Sequence, residues 1–246
     1  PSLKLNFYAE ILVSDKKASN GYFHTLKYPL LPPGSLFDEY YLFPEVFSTL
    51  TSAVQKLRAE HYYEWQYDHE KSKPDHPHFT GFGLATNFAP DNFAFAKLPE
   101  GLKRYLFSPF GGKVLAKILM YHYVPKTLLL SEFLYHEKHH DHKSVVSMEE
   151  GDDKSFKKEI EVPTALANAT LHITIDKSKV PLLDGVYKTT IKVNDHYVKA
   201  FDVPAHNGAT HVIGDVLIPP HHHHDHHGED ISSVDSWENW EDWLPA

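Results

Sequence analysis

The chain contains no cysteine, so it holds no disulfide, no thiolate nucleophile and no zinc-thiolate centre. It has no run of about 18 apolar residues, which excludes a membrane-spanning helix. Basic charge is scarce: 24 Lys and Arg stand against 33 Asp and Glu, for a net charge of -9. Seven of those acids (Asp225, Glu229, Asp230, Asp235, Glu238, Glu241 and Asp242) lie after His221, in a tail without Lys or Arg, so the body is nearly neutral. A nucleic-acid partner therefore has no electrostatic support. Catalytic signatures are missing as well. There is no GxSxG, HExxH, P-loop or GxGxxG, and Gly111-Gly112-Lys113 lacks the rest of a phosphate loop, so no catalytic residue is assigned. The chain starts at Pro1 with neither an initiator Met nor a basic, apolar leader, from which a removed signal peptide or a cut N-terminus is expected.

What is present begins with a repeat. Residues 18–33 read ASNGYFHTLKYPLLPP and residues 205–220 read AHNGATHVIGDVLIPP, without a gap between matching positions. Asn20, Gly21, His24, Leu30, Pro32 and Pro33 recur as Asn207, Gly208, His211, Leu217, Pro219 and Pro220, each 187 residues on, and Asp15 recurs as Asp202. A set kept at fixed spacing argues for a repeated structural unit. Twenty histidines are the other unusual feature; protonating all of them would carry the net charge from -9 to +11.

With 41% apolar residues the 246-residue chain can bury a substantial core as one large or two small domains. Leu3 to Val13 and Tyr22 to Leu26 alternate as two short strands around the Ser19-Asn20-Gly21 turn. Prolines 29, 32 and 33 with Gly34 make a stiff break. Phe47, Leu50, Val54, Leu57, His61 and Trp65 then fall at helical spacing, which predicts one amphipathic helix over 45–65. Residues 66–78 read as a polar loop and Phe79 to Phe88 as a buried strand ending at Pro90. Asp91 sits where an N-cap belongs, before a short helix that Pro99 ends. A further helix opened by Gly111-Gly112 carries Val114, Leu115, Ile118, Leu119 and His122 on one face. Residues 134–158, rich in His and acids, read as an exposed insertion. From Ala169 the period becomes two through four strands, among them Leu171, Ile173, Ile175 and Thr189, Ile191, Val193. Early helices and late strands define an α+β class.

Three segments, TNFAPDNFAFAKLP (Thr86 to Pro99), YHYVP (Tyr121 to Pro125) and NGATHVIGDVLIP (Asn207 to Pro219), together resemble the fasciclin domain of secreted and cell-surface adhesion proteins. The resemblance implies a fasciclin-like fold, a wedge or sandwich of antiparallel strands with several helices packed on one side. It covers about residues 35–220, longer than a typical member, with the excess at 66–78 and 134–158. Residues 1–34 resemble the closing segment of a preceding fasciclin domain, and 221–246 form a His-rich, acidic and Trp-bearing tail. The family's Tyr-His pair, tied to adhesion, falls on Tyr121 and His122.

Asn207-Gly208 suits a hairpin turn with positive φ, and His122 and His211 are placed to hydrogen-bond buried backbone. Asn168-Ala169-Thr170 is a glycosylation sequon. His221, His222, His223, His224, His226 and His227 are candidate metal ligands, with adventitious Zn, Cu or Ni binding expected and no cofactor required; His139, His140 and His142 are a weaker set. Trp237, Trp240 and Trp243, three apart, are expected to dock on the domain or a partner.

The function this implies is an extracellular adhesion protein, secreted and associated with the cell surface, matrix or cell wall. It would bind a protein or polysaccharide without catalysis, and the N-terminal strands would pair with the rest of the chain, a second copy or a lost fragment. The alternatives are a carbohydrate-active enzyme or glycan binder using Tyr62, Tyr63, Trp65 and Tyr67, and a metal or pH sensor built on the His tract.

Overall fold

A computed structural model describes residues 4–5, 8–137, 143–147, 155–181, 183, 185–220 and 237. In chain order the first half runs β1 (Lys4–Leu5), β2 (Ala9–Ala18), β3 (Gly21–Leu26), α1 (Leu36–Leu42), α2 (Pro44–Lys56), β4 (Trp65–Tyr67), β5 (Phe79–Gly81), β6 (Ala85–Pro90), α3 (Asn92–Ala96), α4 (Glu100–Phe107) and α5 (Gly112–His122). After α5 the elements named among the described residues are strands: β7 (Tyr123–Pro125), β8 (Thr127–Leu129), β9 (Phe133–Glu137), β10 (Lys143–Ser147), β11 (Phe156–Pro163), β12 (Thr170–Lys179), β13 (Tyr187–Val193), β14 (His196–Ala205) and β15 (Gly208–Ile213). The class is α+β, with helices early and strands late.

The main sheet has seven strands in the order β11-β12-β13-β14-β15-β6-β7. Every neighbour is antiparallel except β15 with β6, which run parallel from Gly208 beside Ala85 to Ile213 beside Pro90. All six residues of β6 are buried, so this strand shows no alternation. Ala85 and Ala89 enter a core built from the helices (Leu36, Tyr40, Leu50, Leu102, Leu115, Ile118), while Phe88 enters a second core with Leu171, Ile173, Ile191 and Ile213. Strand β12 is covered on one face only: Leu171, Ile173 and Ile175 are buried and Thr170 and His172 exposed, as period two predicts. Smaller sheets join β1-β2-β3, β4-β5 and β8-β9-β10. Among the described residues no helix is long and apolar enough to cross a membrane.

The expected helix over 45–65 ends early, at Lys56. Arg58 adopts φ 53°, and the amides of Ala59 and Arg58 donate to Val54 O and Gln55 O, the paired bonds of a Schellman stop with arginine in the usual glycine position. His61 and Trp65 thus leave the helical stripe for a 3-10 turn at Glu60–Tyr62 and for β4. Helix α1 follows directly on the Pro-Pro-Gly break because Ser35 and Asp38 form a capping box, with Asp38 N donating to Ser35 Oγ at 3.1 Å and Ser35 N to Asp38 Oδ2 at 2.9 Å. Pro99 ends α3 and also precedes α4, a helix not among the expected elements. The single strand expected over 79–88 is two: exposed β5, hairpinned onto β4 around the loop 68–78, and buried β6.

Candidate functional site

The family-like motifs converge where β6, β15 and the end of α5 meet, and most of their polar side chains are engaged there; Asn87 donates from Nδ2 to the Tyr40 hydroxyl at 2.7 Å, while its buried Oδ1 has no partner among the described residues. Asn207 is fully buried. Its Oδ1 accepts from Leu36 N at 2.9 Å, and its Nδ2 donates to Tyr63 O at 3.0 Å and Phe82 O at 3.2 Å. One side chain thereby ties α1, the 3-10 turn and the segment before β6 to the β14–β15 hairpin. The reason expected for this residue was different. Neither Asn207 nor its turn neighbour His206 has positive φ; the demand falls on Gly208, at φ +154°. A Cβ there would lie 1.9 Å from Ala85 O, because the parallel partner strand presses on it. Asp91 caps α3 by accepting from Ala94 N at 2.7 Å, and Lys199 Nζ reaches its other oxygen at 2.6 Å.

His122 and His211 are both at most 1% exposed. His122 Nδ1 lies 2.7 Å from Ile118 O, and its Nε2 accepts from Leu217 N at 2.9 Å. A carbonyl on one side and an amide on the other select the neutral tautomer with the proton on Nδ1. Burial lowers its pKa from 6.5 to about 4. His211 has the opposite tautomer: Nε2 faces Leu129 O at 2.9 Å while Nδ1 accepts from Asp202 N at 3.4 Å. Burial lowers its pKa too, against the pull of Asp202 and the Leu129 carbonyl. Each ring is a staple between segments distant in sequence. Thr86, unremarked in the sequence, does the same work, its hydroxyl donating to Thr127 O and accepting from Leu129 N.

The remaining candidates are dispersed. Tyr121 is 5% exposed; its hydroxyl donates to Thr170 O at 3.2 Å and accepts from Asn194 Nδ2 at 2.7 Å, so both members of the Tyr-His pair are interior. Asn168 is exposed on the turn before β12, at φ 59°. The aromatic segment does not form one platform. Tyr62 stacks on Phe82, Tyr63 is buried, and Trp65 and Tyr67 pack on Phe79. His221 to His224, His226 and His227 lie outside the described residues, as do His139, His140, His142, Trp240 and Trp243. Among the described residues no cluster of three or more His, Asp or Glu is arranged to hold a metal ion. Trp237 is half-buried against the helical core and donates from Nε1 to Val216 O at 3.2 Å.

One surface was not singled out in the sequence. The uncovered face of β11 to β14 forms a shallow cleft of about 420 Å³. Glu159, Thr174 and Lys192 lie side by side across β11, β12 and β13, and Tyr197 follows on β14. Three lysines (157, 188, 192) and three acids (Glu159, Asp176, Asp195) line it, so donors and acceptors alternate without a net charge of one sign. Tyr197 is 61% exposed, with Lys192 Nζ 4.7 Å from its ring centre. The signal for this face was available as the polar half of each alternating strand.

Comparison with known proteins places this architecture. The Fasciclin domain model matches residues 46–219. Protein sll1483 of Synechocystis sp. is 32% identical over 138 residues, covering 56% of this chain and 57% of that protein; the chain thus matches a little over half the length of this relative. Among solved structures, the FAS1 domain pair from the insect cell adhesion molecule Fasciclin I aligns with TM-score 0.45 and 17% identity, over 85% of this chain and 60% of that one. With most of its length matched by one family model, the chain belongs to the fasciclin-domain family.

Proposed function

We propose that this protein is an extracellular binding module without chemistry of its own, acting in adhesion to, or association with, a matrix or cell wall. The observation that carries this reading is the spent state of the motif side chains. His122, His211, Asn207 and Asp91 are each engaged by backbone or by a lysine, so none is held ready as acid, base or nucleophile. Recognition then falls to the surface, and fold alone does not name the ligand. Arrays of matrix proteins and of glycans, probed with the intact chain alongside polysaccharide turnover assays, test it. Binding without turnover is expected; turnover abolished by one substitution at Glu159 or His172 would overturn it.

A polysaccharide ligand is the second reading, favoured by the cleft on β11 to β14, where an exposed tyrosine sits among alternating hydrogen-bond donors and acceptors. Under that reading Tyr197→Ala removes most glycan binding and leaves the thermal midpoint in place.

The N-terminal hairpin β2–β3 is read as the closing element of a preceding unit of the same family. Its exposed Tyr22 and Phe23 occupy positions whose counterparts, Ala209 and Thr210, are buried. Aromatic exposure on both faces of the strand calls for cover. Hydrogen exchange through residues 9–26 is expected to slow in the assembly that supplies it; fast exchange throughout in the native protein refutes this reading.

A further inference from the structure

A second cavity lies away from the sheet face, between the end of α2, the 3-10 turn after it, α5 and β7. It holds about 320 Å³ and is lined by Leu57, Tyr62, Tyr63, Ala116, Met120 and Tyr123, with no charged residue among its walls. That volume is at the small end for ligand pockets, which are mostly apolar with a few placed polar groups. Its polar groups differ in state. Tyr123 donates its hydroxyl to Tyr62 O at 2.6 Å. Tyr63, whose ring meets that of Tyr123 edge-on at 5.2 Å, is 3% exposed and makes no side-chain hydrogen bond among the described residues. Burial beside Tyr40 and Tyr123 raises its pKa, so the phenol keeps its proton. The Tyr63 hydroxyl is not among the fully buried unpaired atoms, so it keeps access to solvent, and a ligand's acceptor would take the place of water there. The rim is adaptable on one side and fixed on the other. Met120 is 42% exposed and flexible, while Tyr62 is held by stacking on Phe82 at 5.4 Å.

We propose that this cavity is a binding site for a small, neutral, ring-bearing molecule with one hydrogen-bond acceptor, such as an aromatic ketone. Absence of charge in the walls disfavours an ion, which would enter without a partner. Aromatic walls favour a flat ring, by stacked and edge-on contacts. The size admits one or two fused rings and excludes a peptide or a polysaccharide chain. The site is separate from the polar cleft, so it stands or falls independently of the adhesion reading.

The test uses the full chain with two fluorescent probes: the naphthyl ketone prodan and 2-dimethylaminonaphthalene, which lacks the ketone. Saturable one-site binding of both is expected. Tyr63→Phe keeps the shape and removes the donor, so prodan should weaken about tenfold, the worth of one neutral hydrogen bond, with the ketone-free probe unchanged. Ala116→Phe, or Met120→Trp at the rim, fills the space and should abolish binding of both probes at an unchanged melting temperature. Tyr63→Phe affecting both probes equally or neither, or binding that survives both filling variants, overturns the proposal.

Discussion

Two hairpins in this protein share one backbone plan and differ in everything around it. In β2–β3 the pairs are Ile11 with Leu26, Val13 with Thr25, Lys16 with Phe23 and Ala18 with Gly21. In β14–β15 they are Val198 with Ile213, Ala200 with Val212, Val203 with Thr210 and Ala205 with Gly208, the same register 187 residues on. Each has its bulge at an aspartate of positive φ, 56° at Asp15 and 58° at Asp202. In each the amide of that aspartate donates to Nδ1 of the repeated histidine, His24 at 3.1 Å and His211 at 3.4 Å. Yet β3 is exposed along nearly its whole length, and β15 is buried from Ala209 to Ile213. The shape of this hairpin is thus written locally, in the bulge, its aspartate and the histidine. The importance of each residue is written by its neighbours.

Substitutions at matched positions can break that comparison. Gly208→Ala should cost about 4 kcal/mol or more, since its Cβ would collide with Ala85 O, while Gly21→Ala, with no atom within 4 Å, should cost about 1 kcal/mol; urea denaturation measures both. Asn207→Ala leaves Leu36 N, Tyr63 O and Phe82 O without their partner and should cost roughly 3 kcal/mol, whereas Asn20→Ala on the exposed turn should stay within about 0.5 kcal/mol. Acid gives the next contrast. His122 binds its proton more weakly folded than unfolded, so its stabilisation is full above about pH 6.5 and is lost as the pH falls towards about 4, by roughly 3 kcal/mol. His211 shifts in the same direction. Thermal midpoints recorded from pH 7 to pH 4 should drop across that window, and the drop should flatten in His122→Gln, which keeps a donor and an acceptor at the site. The smallest effect concerns the tail: Trp237→Ala should lower stability by about 1 kcal/mol through lost indole burial and the bond to Val216 O, with no change at the midpoint refuting the docked position.

Much of the fold was legible because one-sided burial leaves a periodic trace. Leu171, Ile173 and Ile175 alternate with exposed neighbours, and the Ala89-Pro90-Asp91 sequence announces a strand end and a cap within three residues. The end of α2 was not, because a Schellman stop usually advertises itself with glycine and here Arg58 takes the left-handed conformation. Helix α1 hid behind the prolines, its Ser35–Asp38 box being short and acidic where glutamate is commoner. At the candidate site, the histidines' calling to buried backbone was visible from their apolar settings. The reach of Asn207 to residues 36, 63 and 82 was not, since those partners are assembled only by tertiary folding. The cavity beside Tyr63 was equally hidden: the aromatic run Tyr62 to Tyr67 gives no sign that its members part between surface, pocket and core.

The parallel pairing of β15 with β6 also sets a timetable. Gly208 must find Ala85, about 120 residues earlier in the chain, so the one parallel pair of the sheet joins late. During synthesis the helices and β6 leave the ribosome well before their closing strand exists, and β6 waits with one backbone edge unpaired. The β14–β15 hairpin, being local, forms quickly and arrives as a finished wedge. Slow, strand-limited folding follows, in which the last elements made are the ones that complete the middle of the structure.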